Sequence, residues 1–167
     1  VPISEGQQLL IRSLVSTPPA ITVEELCSRW PVRSGDLAAL ASSILDRALV
    51  DRDSAGVRWG FALAGYCGTA AEHLSTLVAL APQGWHGSHE DIVFFLADLR
   101  RPECLSTFTD LVNARFDYLA WDDARALAVK CIWGMGKLGT EEAVRVLAAL
   151  VRTGEPVVST NARDQLE

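Results

Sequence analysis

The sequence predicts a mainly α-helical protein whose C-terminal part is an α-solenoid, a stack of antiparallel helix pairs. The stretch from Asp123 to Val151 contains two apolar helices separated only by Gly139 and Thr140. The first of these helices is apolar over an arc wider than one helix face. Neighbouring helices must therefore cover it on two sides, which is the position of an inner helix in a stack.

Three further helices are predicted between residue 70 and this pair. Pro82 ends the first, Ser88 is the expected N-cap of the second, and Pro102 begins the third. In each helix the apolar residues recur at spacings of three and four, which indicates one buried face. The three stripes are Leu74, Leu77, Val78 and Ala81; Ile92, Phe95, Leu96 and Leu99; and Leu105, Phe108, Leu111 and Val112.

The helix pair itself carries local stop and start signals. Gly139 is predicted to end the first helix in the left-handed conformation, and Thr140 is predicted to cap the next. Trp133, in the middle of the first helix, is interpreted as core filler. Pro156 begins one more helix, whose outer face needs another element or a partner to cover it.

The first 64 residues follow a different pattern. Helices are predicted to Val15, from Thr22 to Trp30, and from Ser34 to Ala48, followed by a β-hairpin that pairs Ala48–Val50 with Val57–Leu63. Three helices followed by a hairpin resemble a winged helix, and an irregular first helical repeat is the alternative. The predicted domains are therefore 1–64, winged-helix-like, and 65–167, helical repeats.

Residues Asp123 to Leu166 resemble HEAT repeats of the short, PBS-lyase-like kind. The resemblance is carried by Leu138-Gly139, Glu142-Ala143-Val144, Leu147, Leu150 and Pro156-Val157, and it is looser over His89 to Asn113. It implies a HEAT-type α-solenoid that binds proteins or, in some family members, nucleic acid or a chromophore-bearing subunit. It does not imply catalysis.

The charge argues against broad attraction to nucleic acid or to an anionic membrane. The chain contains fifteen Lys and Arg residues and twenty-one Asp and Glu residues, which gives a net charge of −6. If the N-terminal module binds DNA, its available cations are Arg33, Arg47, Arg52 and Arg58. No apolar run approaches the ~20 residues that span a bilayer, so we expect no membrane association and a cytoplasmic location.

The predicted partner-binding surface lies on the second helices of successive pairs. In a stack these helices, Cys104–Ala114 and Glu141–Val151, are expected to lie side by side and to present their polar positions together. Tyr118 and Asp122, in the connection that follows the first of them, add an aromatic and an acidic group. The remaining positions of this surface are Thr107, Asp110, Glu142, Arg145 and Arg152.

The sequence contains no pattern that indicates catalysis. His86 and His89 are weak metal candidates, because zinc needs three or four convergent ligands and no further ligand motif accompanies them. We expect no cofactor and no enzymatic activity. The favoured function is a noncatalytic protein-interaction or regulatory scaffold domain, expected to be part of a larger signalling protein. The alternatives are a DNA-binding transcriptional regulator that uses the winged helix, and an immunity protein that neutralises a toxin.

Overall fold

The computed structural model describes residues 2–30, 36–68, 71–123 and 125–167. Within these ranges the chain is mainly helical, as predicted, and forms no strand. It divides into two units, Val1–Thr76 and Leu77–Glu167. The boundary expected after residue 64 falls inside a helix, so the division lies further along the chain than the sequence analysis placed it.

The first unit contains the helices α1 (Glu5–Val15), α2 (Val23–Arg29), α3 (Leu37–Asp51) and α4 (Ser54–Cys67). Ser4 and Thr22 begin α1 and α2 with capping boxes that they form with Gln7 and Glu25. The main packing joins α3 to α4, and α1 packs on both α4 and α2. Among the side chains that this packing buries fully are Ile11, Leu14, Leu26, Leu45 and Leu63.

The predicted β-hairpin is wrong, because residues 48–64 lie in α3, in a two-residue connection and in α4. Arg52 ends α3 in the left-handed conformation, with φ of 54°. Asp53 then caps α4 by accepting the backbone N–H of Ala55 at 3.1 Å. The "DRDSAG" segment, interpreted as a β-turn region, is therefore a helix stop followed directly by a helix start.

The two glycines of α4 pack against α3. A Cβ at Gly56 would lie 2.9 Å from the Cβ of Ala48, and a Cβ at Gly60 would lie 2.7 Å from Leu45 Cδ2. The Cβ of Ala48 is fixed to the backbone of α3, so glycine at position 56 lets the two helices approach closely, whereas at position 60 the contact is with the end of the flexible Leu45 side chain. Without its hairpin, the winged-helix interpretation of this unit loses the feature that distinguished it from a helical repeat.

The chain continues with α5 (Leu74–Leu80), in which the division between the units falls. The second unit then contains α6 (His89–Leu99), α7 (Leu105–Val112), α8 (Arg125–Leu138), α9 (Glu141–Leu150) and α10 (Pro156–Asp164). Gly139 has the predicted left-handed conformation, with φ of 63°, and Thr140 caps α9 by accepting the N–H of Ala143 at 3.2 Å. Short 3₁₀ segments lie at Pro102–Cys104 and Asp117–Asp122.

Helix α8 lies at the centre of the second unit, where α6, α7, α9 and α10 all pack against it. Its wide apolar arc is therefore covered on more than one side, as predicted. The expected side-by-side arrangement of α7 and α9 is not found, because no extensive packing joins these two helices. The α8 side chains buried by its neighbours include Leu127, Ala128, Cys131, Ile132 and Met135.

Contacts at both ends indicate that helices α6, α8 and α10 run in the same direction. Glu90 of α6 forms a 2.9 Å ion pair with Lys130 of α8, forty residues later in the chain. Arg125 of α8 pairs at 3.4 Å with Glu155 at the start of α10, thirty residues later. At the other end of α8 and α10, the side chain of Gln165 occupies the space that a Cβ at Gly136 would need. Each of α8 and α10 therefore runs in the same direction as the helix two places before it in the chain.

Candidate docking site

The predicted partner-binding residues fall in three places. Thr107 and Asp110, on α7, line a groove of about 490 Å³ together with the end of α5 and Phe116. Asp110 is exposed, but Thr107 is buried, so Thr107 is not the surface position that was expected. Tyr118 and Asp122 lie in the 3₁₀ segment beyond Phe116.

The remaining predicted residues lie on and after α9. Arg145 forms ion pairs with Glu142 at 2.8 Å and with Glu141 at 3.9 Å, and all three side chains are largely exposed. Arg152 is exposed beyond the end of the helix. Exposed pairs of this kind contribute little free energy, because water and salt screen them. This face of α9 is thus a solvated charged surface.

Tyr118 holds the start of α6. Its hydroxyl accepts the backbone N–H of His89 at 3.2 Å and lies 2.9 Å from Nδ1 of the same residue. A hydroxyl has one proton and two acceptor lone pairs, so it can bond to both groups at once. Ser88, the N-cap, makes no side-chain capping bond, and Tyr118, twenty-nine positions after His89, satisfies one of the free backbone donors at the start of α6.

His86 and His89 are packed among aromatic rings and do not converge on a metal position. The His89 ring stacks on Phe116 with centroids 3.5 Å apart and on His86 at 4.5 Å. Nδ1 of His86 accepts the N–H of Ser88 at 3.2 Å, so its Nε2 carries the proton that the carbonyl of Leu80 accepts at 3.0 Å. Both nitrogens of His86 are thus engaged in the neutral tautomer.

Burial keeps both histidines neutral. Loss of hydration lowers the pKa of His86, and the hydrogen bond to the Leu80 carbonyl only partly opposes this. The pKa of His89 falls to about 4, mainly through burial and then through the nearby His86, with the backbone of Gln83 acting in the opposite direction. The two neutral, stacked imidazole rings therefore pack as interior side chains.

A second groove, which the sequence analysis did not predict, lies between α6 and α8. We call it the Phe94–Trp133 groove; its volume is about 270 Å³. Phe94 is 60% exposed and Trp133 is 51% exposed, so the interpretation of Trp133 as core filler is wrong. The groove is lined by Val93, Phe94, Ala97, Lys130, Trp133, Gly134 and Lys137.

The shape of this groove follows from residue size. Val93, Ala97 and Gly134 are buried and form its floor, whereas the rings of Phe94 and Trp133 stand exposed on either side. Gly134 has no side chain because Phe108 of α7 lies behind it, where a Cβ would come within 2.8 Å of the ring. The result is an apolar depression with aromatic walls, the shape that receives a bulky apolar side chain.

Two lysines lie on the α8 side of the groove. Lys130 is compensated by its 2.9 Å ion pair with Glu90. Lys137 is exposed and forms no ion pair with any residue that the structure describes. On the described surface, Lys137 is therefore an unpaired cation at one end of the groove.

Of the four residues proposed for DNA binding, three lie in the part of the chain that the structure describes. Arg33 lies outside the described residues. Arg47 is held by Asp51 at 2.6 Å, and the guanidinium of Arg58 lies 5.8 Å from the ring centre of Trp59. Arg52 is the exposed residue that ends α3. One of these four charges is thus paired within its own helix.

Over residues 2–30, 36–68, 71–123 and 125–167, no three His, Cys, Asp or Glu side chains are grouped so that they could hold a metal ion. In the same ranges no helix combines the length and the apolar character that crossing a bilayer requires. Comparison of the sequence and the structure with family models, with curated proteins and with solved structures finds no match.

Proposed function

We propose that this chain is a noncatalytic protein-interaction module. In this proposal the helices of residues 77–167 are a HEAT-type stack that acts as a rigid scaffold, and the Phe94–Trp133 groove is the place where a partner protein docks. The observation that carries the proposal is that two large aromatic side chains from different helices are left exposed over one apolar floor.

The register of the helices supports the repeat architecture. Ion pairs link α6 to α8 across forty residues and α8 to α10 across thirty, and the three helices are parallel. A short helix, α7 or α9, follows each of the first two and packs on α8. Parallel first helices joined through a returning second helix are the arrangement of an α-solenoid, in which each repeat is packed by its neighbours. HEAT repeats have periods of roughly forty residues.

The energetics favour docking at the two aromatic rings. A Phe or Trp side chain buries about 150–250 Å², so each half-exposed ring leaves on the order of 100 Å² still to be covered. At about 25 cal/mol per Å², covering both rings is worth on the order of 5 kcal/mol before the cost of association. Energies of this size identify hot spots in protein interfaces, where aromatic residues are enriched.

The test begins with a partner captured by site-specific crosslinking. A photoreactive phenylalanine analogue placed at position 94 should crosslink to a protein that mass spectrometry identifies from the source extract. That protein is then purified, and its affinity is measured for the wild-type chain and for Phe94→Gln and Trp133→Gln. We expect each substitution to weaken binding by about tenfold or more, since each removes a central apolar anchor.

The control variants remove exposed apolar side chains elsewhere. Val144→Gln changes α9, where Val144 is 48% exposed, and Val50→Gln changes the first unit, where Val50 is 75% exposed. Both should leave the affinity within about twofold, because neither lies in the groove. Loss of binding in Val50→Gln together with normal binding in Phe94→Gln and Trp133→Gln contradicts the proposal and assigns recognition to the first unit.

A further inference from the structure

The Phe94–Trp133 groove has the dimensions of a site for one face of a helix. Phe94 and Ala97 are three residues apart on α6, and Trp133 and Lys137 are four apart on α8, so the lining spans about one turn of each helix. Because α6 and α8 are parallel, the groove runs along both of them. An amphipathic helix laid along it presents apolar side chains at the same spacing of three and four residues.

The unpaired charge of Lys137 beside the groove favours a docked helix that carries an acidic residue. Lys137 is unpaired on the described surface, whereas the charge of Lys130 is already neutralised by Glu90. Asp98, one turn after Phe94, is exposed but forms no ion pair with Lys137. A carboxylate on the docked helix therefore finds an available cation at one end of the groove, and an added Lys or Arg meets like charge there.

A cationic ligand held over the aromatic rings is disfavoured for the same reason. Exposed Trp and Phe rings attract cations through their faces, and they are used in that way to bind ammonium groups. Here Lys137, whose charge is unpaired on the described surface, already lies beside the rings, so a further cation is repelled.

We infer that the Phe94–Trp133 groove binds an acidic amphipathic helix of a partner protein. An apolar side chain of that helix inserts between Phe94 and Trp133, and a Glu or Asp near its end pairs with Lys137. This inference rests on the proposed function and names the chemistry of the partner segment.

The experiment uses a phage-displayed library of helical peptides selected on the full chain. Selection on wild type, with counter-selection on Phe94→Gln and on Trp133→Gln, retains the peptides that need the groove. We expect these peptides to be acidic and to carry apolar residues at spacings of three and four. Synthetic copies should bind about tenfold more weakly to each of the two groove variants, because each substitution removes an aromatic anchor.

A charge exchange tests the pairing with Lys137. Lys137→Glu should weaken the acidic peptides about two- to fivefold, as expected for an exposed ion pair. A peptide in which the contacting Glu is replaced by Lys should recover that loss on Lys137→Glu and should bind wild type more weakly. Val144→Gln serves as the surface control, and circular dichroism with thermal unfolding verifies that each variant is folded.

The outcomes separate the inference from the proposal on which it rests. Groove-dependent peptides that are basic or uncharged overturn the acidic helix and leave the docking function in place. If no selected peptide depends on Phe94 or Trp133, both are overturned. Groove-dependent binding of the chain to phosphatidylcholine–phosphatidylserine vesicles, with no groove-dependent peptide, also overturns both, because it assigns the aromatic rings to a lipid surface.

Discussion

The hydroxyl of Tyr118 accepts the backbone N–H of His89 at 3.2 Å and lies within hydrogen-bond distance, 2.9 Å, of Nδ1 of the same residue. One phenolic group thus contacts both the start of α6 and the ring of a buried histidine. The stability of the start of α6 therefore depends on a residue that comes after α7 in the chain.

Tyr118→Phe should destabilise the second unit. The substitution keeps the ring but leaves the His89 N–H and Nδ1 without their partner, which costs about 1–3 kcal/mol when the groups are buried. Chemical denaturation should show this as a lower midpoint with an unchanged slope. The matched control is Tyr66→Phe, because no hydrogen bond joins the Tyr66 hydroxyl to a described residue. The idea is wrong if both variants unfold at the wild-type midpoint.

Stability should fall as the pH is lowered from about 6.5 to 4. The pKa of His89 is about 4 in the folded protein, below its ordinary 6.5, so in this interval the unfolded chain binds more protons. At about 1.4 kcal/mol per pKa unit, the loss from His89 is on the order of 3 kcal/mol, and it is complete once the pH reaches the folded pKa. His86, whose pKa is also lowered, acts in the same direction.

Denaturant midpoints measured across this pH interval test the assignment. His89→Gln should flatten the pH dependence relative to wild type, although the variant is less stable at neutral pH. Histidine ring signals in NMR titrations give the pKa of each residue directly. An ordinary pKa near 6.5 for His89 in the folded protein contradicts the burial argument.

Gly56→Ala should destabilise the first unit even though alanine favours a helix. The added Cβ would lie 2.9 Å from the Cβ of Ala48, which is fixed to the backbone of α3 and cannot rotate away. Overpacking of this kind costs about 1–3 kcal/mol, more than the roughly 1 kcal/mol that helix propensity returns. Gly6→Ala, in α1 with no atom within 4 Å of the new Cβ, should instead raise the thermal midpoint. Equal effects of the two substitutions would count against close packing of α3 on α4.

The chain should show no sequence-selective affinity for duplex DNA at physiological salt. Residues 1–64 contain six basic and seven acidic side chains, and Arg47 is already paired with Asp51. Specific recognition needs phosphate contacts from basic residues and base contacts from free side chains. Fluorescence anisotropy with labelled duplexes provides the measurement. Sub-micromolar binding that discriminates between sequences would restore the DNA-binding alternative.

The stop and start signals between α8 and α9 were predicted correctly. Gly139 and Thr140 form the predicted stop and start because the left-handed cap and the N-cap hydrogen bond each depend on neighbouring residues alone. A glycine within a helix is harder to interpret from the sequence, because glycine is used both in turns and where two helices pack closely. Gly56 and Gly60 were interpreted as part of a hairpin, and only the position of α3 shows that they are contact points.

The candidate site was harder to predict because it depends on residues that are far apart in the sequence and meet only in the folded chain. A wide apolar arc on α8 indicates that neighbours cover it, but it does not say which position they leave exposed. Trp133 proved to be that position. Phe94 did carry a signal, since it lies outside the stripe formed by Ile92, Phe95, Leu96 and Leu99. Its meeting with Trp133, thirty-nine residues later, follows from the register of α6 and α8, which the sequence alone did not reveal.

The central place of α8 has a consequence for how the second unit opens. Because α6, α7, α9 and α10 each pack on α8, none of them can lose its place without exposing part of the same apolar surface. Repeat arrays with weaker links between neighbours unfold piecewise, whereas a shared central helix couples the whole array. The amide protons of α8 around Cys131 should therefore exchange with solvent only when residues 77–167 unfold together, whereas those of α10 exchange through local fraying.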